Sequence, residues 1–353
     1  MRTERIAGRM GELGVDAIVV TRLPNVRYLT GFTGSNGQAL VTTDGGVFFT
    51  DGRYTEQSRR EVADMERVTY RQNFAEVVRE ACAAHAVRRL GFEDGALTVR
   101  TYRSLEGALD GVELVAVGDE VERQRWRKDA EELGLLQSAQ DATDQAFEDI
   151  LEKLAVGLSE RQVAQELEHA MRRAGADGLS FDTVVAFGEN AAEPHHEPGH
   201  RALEEGDIVK MDFGALWGGY HADMTRSVAF GEIGSELKRI YDVVQRAQRA
   251  GVEAVHAGAV GGEVDAASRR IVEEAGYGER FSHGLGHGLG LEVHEGPGLR
   301  HQGTDELPEG AVVTVEPGVY VPGLGGVRIE DMVEVRADGC RVMPSSPKDL
   351  IEL

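Results

Sequence analysis

The 353-residue chain is poor in cysteine, in long apolar runs and in positive charge, and each shortage removes a class of protein. Two cysteines, Cys82 and Cys340, are too few for a disulfide framework, so a reducing cytoplasm is the expected compartment. No stretch approaches the roughly 18 consecutive apolar residues that would cross a bilayer. The opening MRTERIAGRMGELG lacks the apolar core of a secretory signal. Lys and Arg number 38 against 61 Asp and Glu, a net charge of −23. That sign argues against nucleic acid or an anionic membrane as partner and favours cations, metal ions included. The zinc motif HExxH is missing as well: in HGLGHGLGLEVHEGPG, residues 283–298, Gly284 stands where that motif needs Glu.

What is present divides into two parts. Up to Asp119 the chain alternates helix-like and strand-like segments: a helix near Thr3–Leu13, a strand in DAIVVTR, and a hairpin in QALVTTDGGVFFT with Asp44-Gly45-Gly46 at its turn. Strands in VTYRQ, RLGFED and VELVAVG and helices near FAEVVREACAAHAVRRL and TYRSLEGAL complete a small α/β domain, residues 1–121. From residue 122 the character becomes α+β. A long charged helical run through DILEKLA precedes a second helix with Ser159 as N-cap and Gly175 as its stop. Two further helices and several strands joined by Gly-rich turns follow, giving an antiparallel sheet with helices on it over 122–353.

Two hairpins in this second part set acids against acids. In DIVKMDFGALWGGYHADMTRSVAF, a turn centred between Trp217 and Gly218 places Asp212 opposite Asp223, with Cβ atoms roughly 5 Å apart. In AVVTVEPGVYVPGLGGVRIEDMVEV, a turn near Gly323 places Glu316 opposite Glu330. Like charges directly opposed destabilise a sheet unless something neutralises them. Two divalent cations would balance four carboxylates, and a neutral imidazole can join the set without changing its charge. Oxygen-rich donors suit Mn²⁺, Co²⁺, Fe²⁺ or Zn²⁺, and a paired-ion site implies metal-assisted hydrolysis. Arg328 shares the strand face of Glu330, and Thr225 that of Asp223.

The ordered segments MDFGALWGGYHADMTR, HGLGHGLGLEVHE, TVEPGVY and GVRIEDM resemble the pita-bread-fold metallopeptidases, the group of methionine aminopeptidase, aminopeptidase P, prolidase and creatinase. The match runs from about Glu122 to the C-terminus. It implies a C-terminal pita-bread domain and a smaller N-terminal creatinase-like α/β domain. It also implies two divalent ions, with manganese expected and cobalt or zinc as alternatives, held by Asp212, Asp223, His287, Glu316 and Glu330. By the same resemblance Glu316 is a proton shuttle, and His294 hydrogen-bonds the scissile carbonyl. His195 lies near the substrate's N-terminal side and His283 at the proline-side pocket. Arg328 steadies a metal-binding Glu and the substrate pocket, and Tyr320 lies near the site. His196 is read as an incidental neighbour of His195. His85, His169, His200, His221, His256 and His301 are read as surface or core.

Intact ligands argue against the creatinase branch, and the extra N-terminal domain against methionine aminopeptidase. The segment NVRYLTGFTGSNGQALVTTDGGVFFTDGRYTEQ resembles small bacterial aminopeptidase P. An Xaa-Pro aminopeptidase acting on proline-containing peptides is therefore the expected activity, with prolidase, which takes only Xaa-Pro dipeptides, as the alternative. The family also suggests a homodimer.

Overall fold

The computed structural model describes residues 2–71 and 73–353, which form two compact units, Met1–Arg125 and Trp126–Leu353. In the first, a six-stranded mixed sheet runs in the spatial order Glu66–Tyr70, Gly45–Asp51, Gly37–Thr42, Ala17–Val20, Arg89–Phe92, Glu113–Ala116. The three central strands meander antiparallel, and the outer ones join in parallel. Apolar residues such as Val19, Leu40 and Phe49 meet Val78 and Leu105 of the helices Phe74–Ala84 and Val99–Ala108 in one core. Thr42 pairs with Gly45, so the hairpin turn is Thr43-Asp44 rather than Asp44-Gly45-Gly46.

The charged run expected as one helix is two. Glu120–Arg125 is a short helix, and Ala130–Leu151 begins afresh at a capping box in which Asp129 and Glu132 satisfy each other's backbone amides. The short helix stays with the first unit. Glu120 pairs with Arg9, Glu122 with Arg22, and Arg125 donates to Asn25. The two compact units divide after Arg125.

In the second unit the named strands pair antiparallel, with a parallel bridge from Ala229 to Glu352 beside them, and they form several small sheets rather than one. One holds Val184–Phe187, Asp207–Phe213 and Met224–Phe230. Another carries Glu295–Leu299, Gly286–Gly288, Val312–Val315, Asp331–Arg336 and Gly339–Val342 in that order. Gly318–Val321 and Gly325–Arg328 make a separate ribbon. The helices Ser235–Ala254 and Gly261–Glu274 cover an apolar core that includes Ile240, Val244, Val264, Val313 and Val333. Ala130–Leu151 and Glu160–Arg173, the latter capped by Ser159 and Gln162, cover a second core around Phe147, Leu167, Met211 and Phe213.

The second hairpin has the expected register. Gly318 faces Arg328 in the ribbon, and Val315 faces Asp331 in the larger sheet. One alignment thus runs through both, and Glu316 and Glu330 sit opposed where the pairing passes from one sheet to the other. Their amides turn elsewhere: Glu316 N donates to Leu285 O and Glu330 N to Thr225 O. The first hairpin differs from expectation. Trp217 pairs with Tyr220 across Gly218 and Gly219, whose φ angles are 55° and 81°. A two-residue turn with both φ positive matches the strand twist, and glycine adopts it freely. Relative to the predicted turn, the register moves by two, and Asp212 faces Thr225 instead of Asp223. An even shift keeps every side chain on its face.

Candidate metal centre and active site

The rims of the two hairpins and the His283–His294 segment enclose a cavity of about 560 Å³. Asp212, Asp223, His283, His287, His294, Glu316, Arg328, Glu330 and His195 all line it. Tyr320 is buried just behind, against His283 and Arg328.

Donor atoms of Asp223, His287 and Glu330 lie within 4.8 Å of one another. His287 Nε2 is 3.3 Å from Glu316 Oε1 and 3.6 Å from Asp223 Oδ2. Its Nδ1 lies 3.1 Å from the Gly288 carbonyl, which can only accept, so the ring proton belongs there. Nε2 therefore turns a lone pair towards two carboxylates. Burial, and then the neighbouring Glu330, Asp212 and Glu316, hold the Asp223 carboxyl well above its ordinary range. Burial and then Glu316 and Asp212 do the same for Glu330, and burial pushes Glu316 up to about 7. Burial pushes His287 down. Asp212 Oδ1 is buried with no hydrogen-bond partner. Lone pairs facing lone pairs, acids short of compensation and an orphaned carboxylate oxygen are what a cation would resolve. The donor set, oxygen with one imidazole and no thiolate, fits hard or borderline divalent ions.

The surrounding groups orient these donors. Thr225 Oγ1 donates to Glu330 Oε2 at 2.7 Å and accepts from Arg328 Nε at 2.9 Å. Thr314 Oγ1 donates to Glu316 Oε1 at 3.1 Å and accepts from the His287 amide. Arg328 also pairs with Asp212 and donates to Tyr320 Oη. The resemblance assigned Arg328 to a metal-binding Glu; its direct ionic partner is Asp212, and it reaches Glu330 only through Thr225. His283 Nδ1 faces the Gly284 carbonyl at 2.8 Å and Nε2 faces Tyr320 Oη at 2.9 Å. The neutral ring, pushed down to about 4 by burial and then by Arg328, thus accepts the tyrosine proton. The rings of His287 and His294 meet edge to face with centroids 4.3 Å apart.

Four residues near the site escaped the sequence reading. Lys210 is fully buried two residues before Asp212 and on its face. A lone lysine inside the apolar run of DIVKMDF was the available signal. Glu160 is fully buried too, but at a helix start it reads as an ordinary first-turn acid. His196 is not incidental: its ring bridges Glu160 and Glu193 at 3.0 and 2.6 Å. Arg300 lines the cavity and has no ion-pair partner among the described residues.

Residues 134–337 match the model of metallopeptidase family M24, and residues 2–126 match the creatinase/prolidase N-terminal domain. The chain belongs to metallopeptidase family M24. Within this M24 family, the solved Xaa-Pro dipeptidase from Bacillus anthracis is 41% identical, with a TM-score of 0.97 over 100% of this chain and 99% of that one. The X-Pro aminopeptidase from Thermotoga maritima gives 33% identity and a TM-score of 0.92, covering both chains fully. An Xaa-Pro dipeptidase of Pyrococcus horikoshii is 32% identical over 351 residues, 99% of this chain and 98% of its own. Both expected domains of the pita-bread architecture are thus present, and the M24 chain is a peptide-bond hydrolase of the metal-dependent kind.

Proposed function

We propose that this chain is a dinuclear metallo-exopeptidase that hydrolyses Xaa-Pro dipeptides. Asp212, Asp223, His287, Glu316 and Glu330 would hold two divalent ions, with manganese as the proposed metal and a homodimer as the proposed assembly. When bound, such ions supply Lewis acidity, acidifying water and polarising a carbonyl oxygen. The chain's own groups do the rest. Glu316, ionised beside bound cations, accepts a proton from the attacking water and returns it to the proline nitrogen as that bond breaks. His294 donates to the carbonyl oxygen as charge develops on it. His195 faces the N-terminal residue, and His283, held by Tyr320, packs at the proline ring. Proline offers no N–H, and this arrangement asks for none.

Arg300 carries the choice of dipeptide over longer peptide. The cavity's other arginine, Arg328, is paired with Asp212; an arginine there without an ion partner marks where a substrate anion goes. It abuts the His283–Gly284 segment: a Cβ on Gly284 would lie 3.1 Å from Arg300 Cβ. That is the proline side, where only a dipeptide presents a carboxylate. This favours the prolidase alternative over the expected aminopeptidase, as do the names of the Bacillus anthracis and Pyrococcus horikoshii relatives. The Thermotoga maritima relative favours the other reading.

The test compares Xaa-Pro with Xaa-Pro-Xaa, with Mn²⁺ added. The dipeptide should be strongly preferred. Arg300→Met should raise its KM about tenfold or more, the worth of one charged hydrogen bond, with kcat little changed. Equal turnover of both peptides, unaffected by Arg300→Met, would return the assignment to an Xaa-Pro aminopeptidase.

A further inference from the structure

His195 lines the cavity and is exposed, and its ring makes no hydrogen bond among the described residues. Its placement is therefore set by its backbone. That backbone leaves the strand Val184–Phe187, makes a 3-10 turn over Gly188–Ala192 and has no ladder partner from Glu193 until Ala202 bridges to Ser159. Irregular backbone of this kind leaves carbonyls and amides to be satisfied by something else.

Two buried charges of opposite sign take them. Lys210 Nζ donates to the carbonyls of Ala191, Glu193 and Pro194 at 3.2, 2.5 and 3.4 Å. Glu160 Oε1 accepts from Phe187 N and Asn190 Nδ2, both at 2.9 Å. Its Oε2 accepts from Gly199 N and His196 Nε2, both at 3.0 Å. Arg328 Nη1 adds a bond to the Pro194 carbonyl at 3.2 Å. The carbonyl just before His195 and the ring just after it are thus both tied down.

Neither charge is explained by packing. Lys210 has no carboxylate partner among the described residues, and its Nζ meets three carbonyl oxygens instead, which takes the three N–H donors of an ammonium. Burial raises the Glu160 carboxyl, but its four donors outweigh that and leave it below the ordinary range. Burying such groups is unfavourable, and an apolar side chain on the same strand or helix would avoid the penalty.

We propose that Lys210 and Glu160 are positioning residues that clamp segment 188–199 by its carbonyls and its amides, and so hold His195 over the cavity where the substrate's N-terminal residue lies. The proposal rests on the peptidase reading above. Lysine supplies three donors and no acceptor, and ionised glutamate only acceptors. Each suits the set it meets and not the other's.

The test is a double-mutant cycle on the Mn²⁺-loaded enzyme. Glu160→Gln, close in shape, should lower kcat/KM for an Xaa-Pro dipeptide about tenfold, the scale of a sub-ångström misplacement. Metal content should hold, the melting temperature should fall by the same amount with or without His195, and amide hydrogen exchange should quicken in 188–199 only. Lys210→Met should behave alike. In a His195→Ala background either substitution should change kcat/KM by less than about twofold, because it acts through the missing ring. An undiminished loss in that background, a loss accompanied by loss of metal, or wild-type kcat/KM in Glu160→Gln would overturn the clamp. Wild-type protein that cleaves no Xaa-Pro bond would reject the peptidase reading before any variant is compared.

Discussion

Glu330 and Asp331 are consecutive, both buried, and set in opposite company. Asp331 Oδ1 accepts from Arg226 Nη2 at 2.8 Å, and Oδ2 from Gln248 Nε2 at 2.8 Å and Lys348 Nζ at 2.6 Å. Every lone pair that needs a partner has one, and two of the partners are cations. Glu330 has the Thr225 hydroxyl, and beyond it Glu316, Asp212 and Asp223. One acid is an internal ion pair that ties the strand Asp331–Arg336 to Met224–Phe230 and the C-terminal segment. The other belongs to a cluster of acids that shares a single arginine, Arg328, and stays raised in spite of it. Burial alone does not mark a site; burial without compensation does.

Substitution should separate the two most sharply at Glu330. Glu330→Gln should cost at least about a thousandfold in kcat/KM, since it removes a metal donor and the charge that holds the ion. The same variant should melt higher than wild type in chelator, because a like-charge repulsion is gone, and lower once Mn²⁺ is restored. Elemental analysis and paired melting curves check both halves. A variant that retains two ions and full turnover would remove Glu330 from the metal set.

Asp331→Asn should do the reverse. It leaves Arg226, whose side chain is 1% exposed, with carbonyl acceptors but no carboxylate, and should cost about 3–5 kcal/mol in urea unfolding, the usual penalty for breaking a buried pair from one side. Activity per folded molecule should stay near wild type. A stability loss equal in size for Glu330→Gln and Asp331→Asn would erase the distinction between them.

Much of this was legible in the residues, for reasons that differ by place. The Glu316 and Glu330 register could be read because the Gly-rich turn is symmetric about Gly323 and the alternation on both arms is unbroken. The Asp212 register could not, because either of two adjacent turns fits WGGY, and only backbone φ at Gly218 and Gly219 chooses. The error was harmless to the site because it was even. The split of the charged run at Asp129 was hidden because both pieces are rich in helix-forming charged residues, and the cap is a single acid among many. Lys210, Glu160 and Arg300 lie beyond pattern reading for a common reason. Their roles come from partners, or a missing partner, that only the folded chain brings to them.

The smallest expected effect concerns pH. In the metal-free protein Glu316 is raised from 4.5 to about 7, so between those values the folded chain keeps a proton that the unfolded chain has released. Stability from this group is therefore full below about pH 4.5, falls as pH rises, and is flat again above about 7. Asp223 and Glu330 shift in the same direction. His283, His287 and His294 are lowered, mainly by burial, and act oppositely: they cost stability in acid and stop doing so as pH rises through 6.5. A raw stability profile mixes the two. The difference between wild type and Glu316→Gln weights the acids, because the substitution removes Glu316 and the repulsion it exerts on Asp223 and Glu330. In chelator the variant should gain on wild type steadily from about pH 4.5 to 7, read as a widening gap in melting temperature. With Mn²⁺ bound the carboxylate is ionised throughout and the gap should lose its pH dependence. A constant gap in chelator would mean that Glu316 has an ordinary carboxyl, and that the cluster is better compensated than its geometry indicates.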